Sequence, residues 1–270
     1  MLEKIKETTD FIKSKTQVRP KTGIILGTGL GNLVTQITEK EEIPYETIPN
    51  FPLSTVEGHS GKLIFGKLGN VEILAMQGRF HYYEGYSMQE VTFPVRVMKA
   101  LGIENLLVSN ASGGMNPDFE IGDIMIITDH INAFPEHPLR GKNFNELGPR
   151  FPDMSQAYSK EFIAKAKAIA KRNNIKVVEG VYLGTSGPTF ETPAEYKYFR
   201  IIGGDTVGMS TVPEVIVANH AGMKVFGMSI ITDLGVEGKI VEISHEEVQE
   251  VGNKVQPLMT QIMKELVAEI

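Results

Sequence analysis

Residues 22–31, TGIILGTGLG, decide the fold class. Ile24, Ile25 and Leu26 make a short apolar run of the kind buried inside a sheet. Gly27, Gly29 and Gly31 follow at once and let the chain turn closely. Leu30 and Leu33 then resume an apolar face. A strand that ends in a loop built largely of backbone, with room for a helix after it, is an α/β opening.

Working outward, Leu2, Ile5, Thr9 and Ile12 recur at helical spacing ahead of Pro20 and predict an amphipathic first helix. Further strands are expected at residues 62–65, 71–75, 105–109, 123–128, 177–182, 206–208 and 224–231. Several are almost wholly apolar, which suits a sheet covered on both faces. The covering is expected from helices at 88–100, 160–173, 211–221 and 245–270. The last of these carries Val248, Val251, Val255, Leu258, Met259, Ile262, Met263 and Leu266 as one apolar stripe. Residues 132–154 are the least regular, broken by six prolines or glycines yet rich in Phe and Leu, and read as an ordered functional loop or contact surface. The expectation is a single α/β domain, a central mixed sheet flanked by helices, over residues 1–270.

Composition narrows the function. The 270 residues carry 33 acidic against 27 basic side chains, a net charge of −6, so no broad cationic face for nucleic acid is expected. The N-terminal segment MLEKIKETTDFIKSK lacks the unbroken apolar core of a signal peptide, and no later stretch reaches a membrane-spanning length. A cytoplasmic location with no membrane partner is expected. There are no cysteines, which excludes disulfides, thiolate metal sites and thiol catalysis. None of the six histidines has metal-site spacing.

Several short segments carry possible chemistry, each with a plainer use beside it. GTGLG at 27–31 is a poor dinucleotide fingerprint, because Asn32 stands where the third glycine belongs. It serves equally as a structural turn or as a backbone cradle for phosphate, with the Thr28 hydroxyl as an added donor. GRFHYYEGY at 78–86 places Arg79 and His81 two residues apart, so an extended segment would aim both at one oxyanion. A surface ion pair with a packed histidine is the rival. NASGGMN at 110–116 sits where an apolar strand is expected to end in a loop, a common place for a binding crevice. Ser210 and Thr211 precede a helix and either cap it or bind an anion at its positive end. Phe190 beside Glu191 offers an aromatic plane next to an acceptor, as a flat heterocycle requires, or a loop whose carboxylate faces water. Ser244 and Glu247 form a capping box around His245.

Taken in order, GTGLG, EGHSG, GRFHYYEGY, NASGGMN, RFPDMSQAY, GPTFETPAEY, GMSTVPEVIVA and SHEEV resemble the trimeric, low-molecular-mass purine nucleoside phosphorylases over nearly the whole chain. The resemblance implies reversible phosphorolysis of purine ribonucleosides and 2′-deoxyribonucleosides, inosine and guanosine preferred, with inversion to α-D-ribose 1-phosphate. It implies no cofactor and no metal, inorganic phosphate as co-substrate, and a homotrimer. By the same resemblance Thr28, His59, Arg79, His81, Ser210 and the backbone N–H of Ala111 would hold phosphate. Tyr83, Met209 and His245 would contact ribose. Phe190, Glu191 and Asp233 would hold the base, and Phe151 would reach a neighbouring subunit's site. His81, Glu191, Asp233 and His245 are the expected catalytic set. Asp233 departs from the family pattern, where asparagine is usual: an ionised aspartate only accepts hydrogen bonds, which suits a 6-amino group. Methylthioadenosine or broad 6-aminopurine cleavage, and nucleoside binding without catalysis, are the alternatives.

Overall fold

The computed structural model describes residues 1–27, 30–53 and 61–270. Among them are nine strands: β1 (Thr22–Leu26), β2 (Ile37–Pro44), β3 (Lys62–Leu68), β4 (Val71–Gln77), β5 (Asn105–Gly114), β6 (Ile124–Asn132), β7 (Val177–Gly184), β8 (Thr206–Gly208) and β9 (Lys224–Leu234). They follow the order β2-β3-β4-β1-β5-β8-β7-β6-β9, and β9 also pairs with β5. The five strands β5, β8, β7, β6 and β9 therefore close on one another, and β1 to β4 extend from β5 as an arm.

β1 is buried at every position. Alternation along it divides the core. Ile25 joins the cluster that contains Ile5 and Ile12 of α1 (Leu2–Lys15), Met98 of α3 (Phe93–Leu101) and Val215 of α6 (Val212–His220). Ile24 and Leu26 join Phe162 of α4 (Lys160–Arg172) and Met259, Ile262 and Leu266 of α7 (His245–Glu269) on the other face. A strand that must be apolar on both faces reads as an unbroken apolar run. Among the described residues no helix is long and apolar enough to cross a membrane.

Four expectations need correction. NASGGMN does not begin a loop: β5 runs on to Gly114, because Gly113 and Gly114 still pair with Asp233 and Leu234 of β9 and with β8. The 88–100 helix is two pieces, α2 (Met88–Val91) and α3, since Pro94 cannot donate into a continuous ladder. β2 was absent from the expected strands. As an edge strand it buries only Ile37 and Ile43 and leaves Glu and Lys outward, so it has little apolar signal. Residues 193–201 are also helical: α5 (Pro193–Ile201) starts at a capping box made by Thr192 and Glu195, with proline in its first turn.

Strands β4, β1, β5 and β9 are mutually parallel. Their carboxyl ends open on the same side, the usual binding edge of such sheets.

Candidate active site

At that edge one pocket is lined by Arg79, His81 and Tyr83 after β4, by residues 110–113 of β5, by Phe190 and Glu191 ahead of α5, by residues 207–210 in and just after β8, by Thr232 and Asp233 of β9, and by His245 and Val248 of α7. Segments far apart in sequence thus meet because parallel strands end together.

Arg79 leaves the end of β4 and is 2% exposed. Its Nε and Nη2 donate to the two carboxylate oxygens of Glu214 on α6, at 3.1 and 2.8 Å. Its Nη1 donates to the Ser109 carbonyl at 2.7 Å and to Ser210 Oγ at 3.2 Å. Gly27 passes so close that a β-carbon there would stand 2.2 Å from the Ser109 carbonyl oxygen and 2.7 Å from Arg79 Nη1. That approach explains the first glycine of the loop.

Ser210 is fixed from behind. Thr211 has φ +69° and ψ −56°, and Val212 N donates to the Ser210 carbonyl at 2.7 Å, a three-residue turn that strains a β-branched residue. Thr211 makes no side-chain cap to α6. Its hydroxyl instead accepts from Asn110 Nδ2 at 2.7 Å and lies 3.1 Å from Ser210 Oγ. Asn110 Oδ1 accepts from Ser229 at 2.5 Å, and Ser229 meets Ser112 at 2.6 Å. A buried chain of hydroxyl and amide groups therefore ties β9 and β5 to the start of α6, so the strain at Thr211 is offset by a network with every member partnered.

His81 stacks on Tyr83, ring centroids 4.7 Å apart, and both its backbone N–H and Nδ1 engage Glu84 Oε1, at 2.7 and 3.1 Å. Burial pushes the imidazole below its ordinary range, against the pull of Glu84. Burial likewise pushes the Tyr83 phenol up to about 12. His245 sits in the first turn of α7, held by the Ser244–Glu247 capping box, and its Nε2 lies 3.0 Å from the Gln249 amide nitrogen. With that nitrogen accepting, the ring proton rests on Nδ1.

The far end is acidic. Asp233 accepts from Tyr196 at Oδ2 and from Thr232 at Oδ1, both at 3.0 Å. Desolvation raises its pKa even so. Glu191 is pushed up to about 7, first by burial and then by the nearby Asp233 and Glu195 charges, while its own backbone N–H and the Tyr196 hydroxyl pull the other way. A β-carbon on Gly113 would stand 2.9 Å from Asp233 Oδ2, so any side chain there would displace the Asp233 carboxylate. Phe190 is 44% exposed beside them.

The comparisons with known proteins agree with one another. Residues 21–268 match the family model described as the phosphorylase superfamily. The chain belongs to that superfamily. Within it the chain groups with the purine nucleoside phosphorylases: it is 53% identical over 269 residues to purine nucleoside phosphorylase 1 of Bacillus subtilis, covering 100% of this chain and 99% of the relative. Among solved structures, isoform 2 of the Schistosoma mansoni enzyme in complex with cytosine and ribose-1-phosphate superposes with a TM-score of 0.95 at 44% identity, covering 99% and 96% of the two chains. Schistosoma mansoni purine nucleoside phosphorylase in complex with adenosine matches with a TM-score of 0.95 at 41% identity, covering 100% and 98%.

In this superfamily member the expected residues Arg79, His81, Ala111, Ser210, Tyr83, Met209, His245, Phe190, Glu191 and Asp233 all line the one pocket. Thr28 and His59 lie outside the described residues. Phe151 is 88% exposed and does not line the pocket. Sequence reading missed Glu214, Asn110, Thr211 as a network member, Glu84 and Tyr196. Glu214 carried one usable signal, an acid in the first turn of a helix that is otherwise apolar from Val212 to Ala218. Tyr196 and Asn110 act through contacts 37 and 101 residues away in sequence, which no local pattern announces.

Proposed function

We propose that this chain, as one domain over residues 1–270, is a purine nucleoside phosphorylase that cleaves inosine and guanosine with inorganic phosphate, and that it works as a cytoplasmic homotrimer without nucleic-acid or membrane partners. The observation that carries the reading is the polarity of one pocket. Hydroxyl, backbone and guanidinium donors gather at one end, two carboxyl groups gather at the other, and Tyr83, Met209 and His245 lie between.

Breaking the C1′–N9 bond leaves positive charge on ribose and negative charge on the purine, and both must be stabilised in place. Phosphate bound at Ser210, His81, the Ala111 N–H and the start of α6 lies where an anion is favoured by a helix N-terminus. It balances the ribosyl cation and then attacks C1′, so its oxygen forms the new bond as the purine departs with the electron pair. Arg79 supplies charge already neutralised in part by Glu214, which makes it an orienting group as much as an attracting one. If Thr211 donates to Ser210, that oxygen is filled by Thr211 and Arg79, and its own proton is aimed at the phosphate. The His81 imidazole, held at Nδ1 by Glu84, is placed to share a proton through Nε2 with a phosphate oxygen. His245 donates from Nδ1 toward the ribose 5′-hydroxyl, a contact that a methylthio group would not reward. Glu191, ionised, accepts from N1–H of a 6-oxopurine. Asp233, protonated, donates toward N7 as negative charge grows there. Phe151 is proposed to enter the site of a neighbouring subunit, a role its exposure permits.

Asp233 also supports a second reading, acceptance of 6-aminopurines. Tyr196 and Thr232 both donate to its carboxylate, a pattern suited to the ionised form, which would accept from an exocyclic amine. The adenosine complex of the Schistosoma mansoni relative makes this substrate worth including. The deciding measurement is release of free base from inosine, guanosine, adenosine and methylthioadenosine, with phosphate present and omitted. Phosphate-dependent release with inosine or guanosine fastest is expected; no release from any of the four by folded protein ends the proposal. Light scattering at three times the chain mass is expected for the trimer.

A further inference from the structure

A second cavity, of about 220 Å³, shares no lining residue with the pocket above. It is bounded by α2, α3, the end of α6 and the segment 138–147. At its base is Arg96 of α3, only 8% exposed. The Arg96 Nη1 donates to the Leu147 carbonyl at 3.3 Å and to His220 Nδ1 at 2.7 Å. Neither acceptor is charged. A guanidinium can only donate, so His220 Nδ1 must be unprotonated, and its proton sits on Nε2, 3.3 Å from Asn143 Oδ1. The imidazole is therefore neutral, in keeping with a pKa lowered by burial and then by Arg96.

Arg96 is thus a buried cation with no carboxylate partner among the described residues. Its Nε and Nη2 have no protein acceptor there either. Burial alone pushes it down to about 10, with no acid nearby to hold it up. No Asp or Glu lines the cavity, whereas Arg140 and Lys142 do, and neither has an ion pair among the described residues. An unpaired buried charge is strongly disfavoured, so natural proteins pair it or give it a ligand. The wall is also built in advance. Asn143 Nδ2 donates to Asn145 Oδ1 at 2.9 Å and to the Gly148 carbonyl at 3.1 Å. Gly148, at φ +144°, passes where a β-carbon would stand 2.0 Å from the His220 carbonyl oxygen.

We propose that this cavity is a second oxyanion site, which takes inorganic phosphate or the phosphate group of a phosphomonoester, with Arg96 as its buried anchor and Arg140 and Lys142 as outer cations. The test is calorimetric titration of the full chain with inorganic phosphate and, in a parallel arm, with glycerol 2-phosphate. The unsubstituted protein is expected to bind one more phosphate per chain than Arg96→Gln. The double variant Arg140→Gln, Lys142→Gln changes exposed side chains only, and should weaken that same site on the order of tenfold. Both should leave kcat/KM for nucleoside cleavage within about twofold, because neither touches the first pocket. Should Arg96→Gln fail to fold, the double variant decides alone. The tighter of the two titrants identifies the source of the phosphate group. Equal stoichiometry in the unsubstituted protein and Arg96→Gln, or an unchanged affinity in the double variant, overturns the site. So does a change in solution mass on Arg96→Gln, since a carboxylate from a second copy would then be the occupant.

Discussion

At one end of the pocket a guanidinium is buried against a carboxylate that grips it at two points; at the other, two carboxyl groups are buried together with hydroxyl donors and, among the described residues, no Lys or Arg. Arg79 and Glu214 are 2% and 5% exposed and saturate each other's geometry. The two-point grip holds both side chains in one geometry, and what they contribute is position. Glu191 and Asp233 have burial raising both pKa values, Glu191 to about 7. There the number of protons, and hence the pattern of donors and acceptors, is open to pH and to the ligand. A fixed end suits a co-substrate that is always an anion. A titratable end suits a ring whose charge changes during the reaction.

The comparison breaks most visibly if Glu214 can be spared. Glu214→Ala takes the two-point carboxylate partner away from a buried guanidinium and should lower the unfolding free energy by about 3–5 kcal/mol, read from urea denaturation. A loss under about 1 kcal/mol would mean that water reaches Arg79 and the end is not rigid. Glu214→Gln, which keeps an acceptor, should lose less.

The base end is sharpened next by Glu191. Glu191→Ala removes a charge-assisted hydrogen bond and should lower kcat/KM for inosine roughly 10- to 100-fold, with the phosphate KM little changed. Its pH dependence has a definite sign. A carboxyl whose folded pKa stands near 7, above its ordinary 4.5, holds a proton in the folded state that the unfolded chain has lost. The stability it contributes is fully present below about pH 4.5 and is lost as pH rises through about 7. Over the same rise Glu191 becomes an acceptor, so kcat/KM for inosine should climb relative to adenosine, whose N1 needs a donor. Glu191→Gln should flatten both trends; a ratio that stays constant from pH 6 to 8 would sink the assignment. Asp233→Asn should then move the inosine-to-adenosine ratio upward by on the order of tenfold, the worth of one hydrogen bond at the six-position.

The two ends also differ in how far they could be read from sequence. Arg79, His81 and Ser210 lie in compact segments whose residue types already suggest an anion, and Phe190 and Glu191 are adjacent. What holds them is nonlocal. Glu214 is 135 residues from Arg79, and the Asn110–Thr211 contact spans 101. The buried strands and the long C-terminal helix were legible because burial on two faces, or on one helical stripe, writes a period into the sequence. Edge strand β2 wrote almost none. The extension of β5 through NASGGMN depends on a partner strand more than a hundred residues later, so its glycines looked like a loop. In sequence Asp233 showed only as a departure from a family pattern; its Tyr196 and Thr232 donors needed three dimensions.

The smallest expected effect concerns the middle of the pocket, where His245 depends on neither end. Ser244 Oγ accepts from Glu247 N at 3.2 Å, and Glu247 Oε2 accepts from Ser244 N at 2.8 Å, so two donors of the first turn of α7 are satisfied reciprocally. Ser244→Ala removes one of them. Further along, Met259, Ile262, Met263 and Leu266 are fully buried, which anchors the helix whatever its first turn does. The loss in stability should therefore stay near 1 kcal/mol. His245 lies inside the turn that loosens, so the nucleoside KM should rise a few-fold, on the order of the same 1 kcal/mol, while the phosphate KM holds. An equal rise in both would place the capping box in general stability and not in holding His245 toward the sugar.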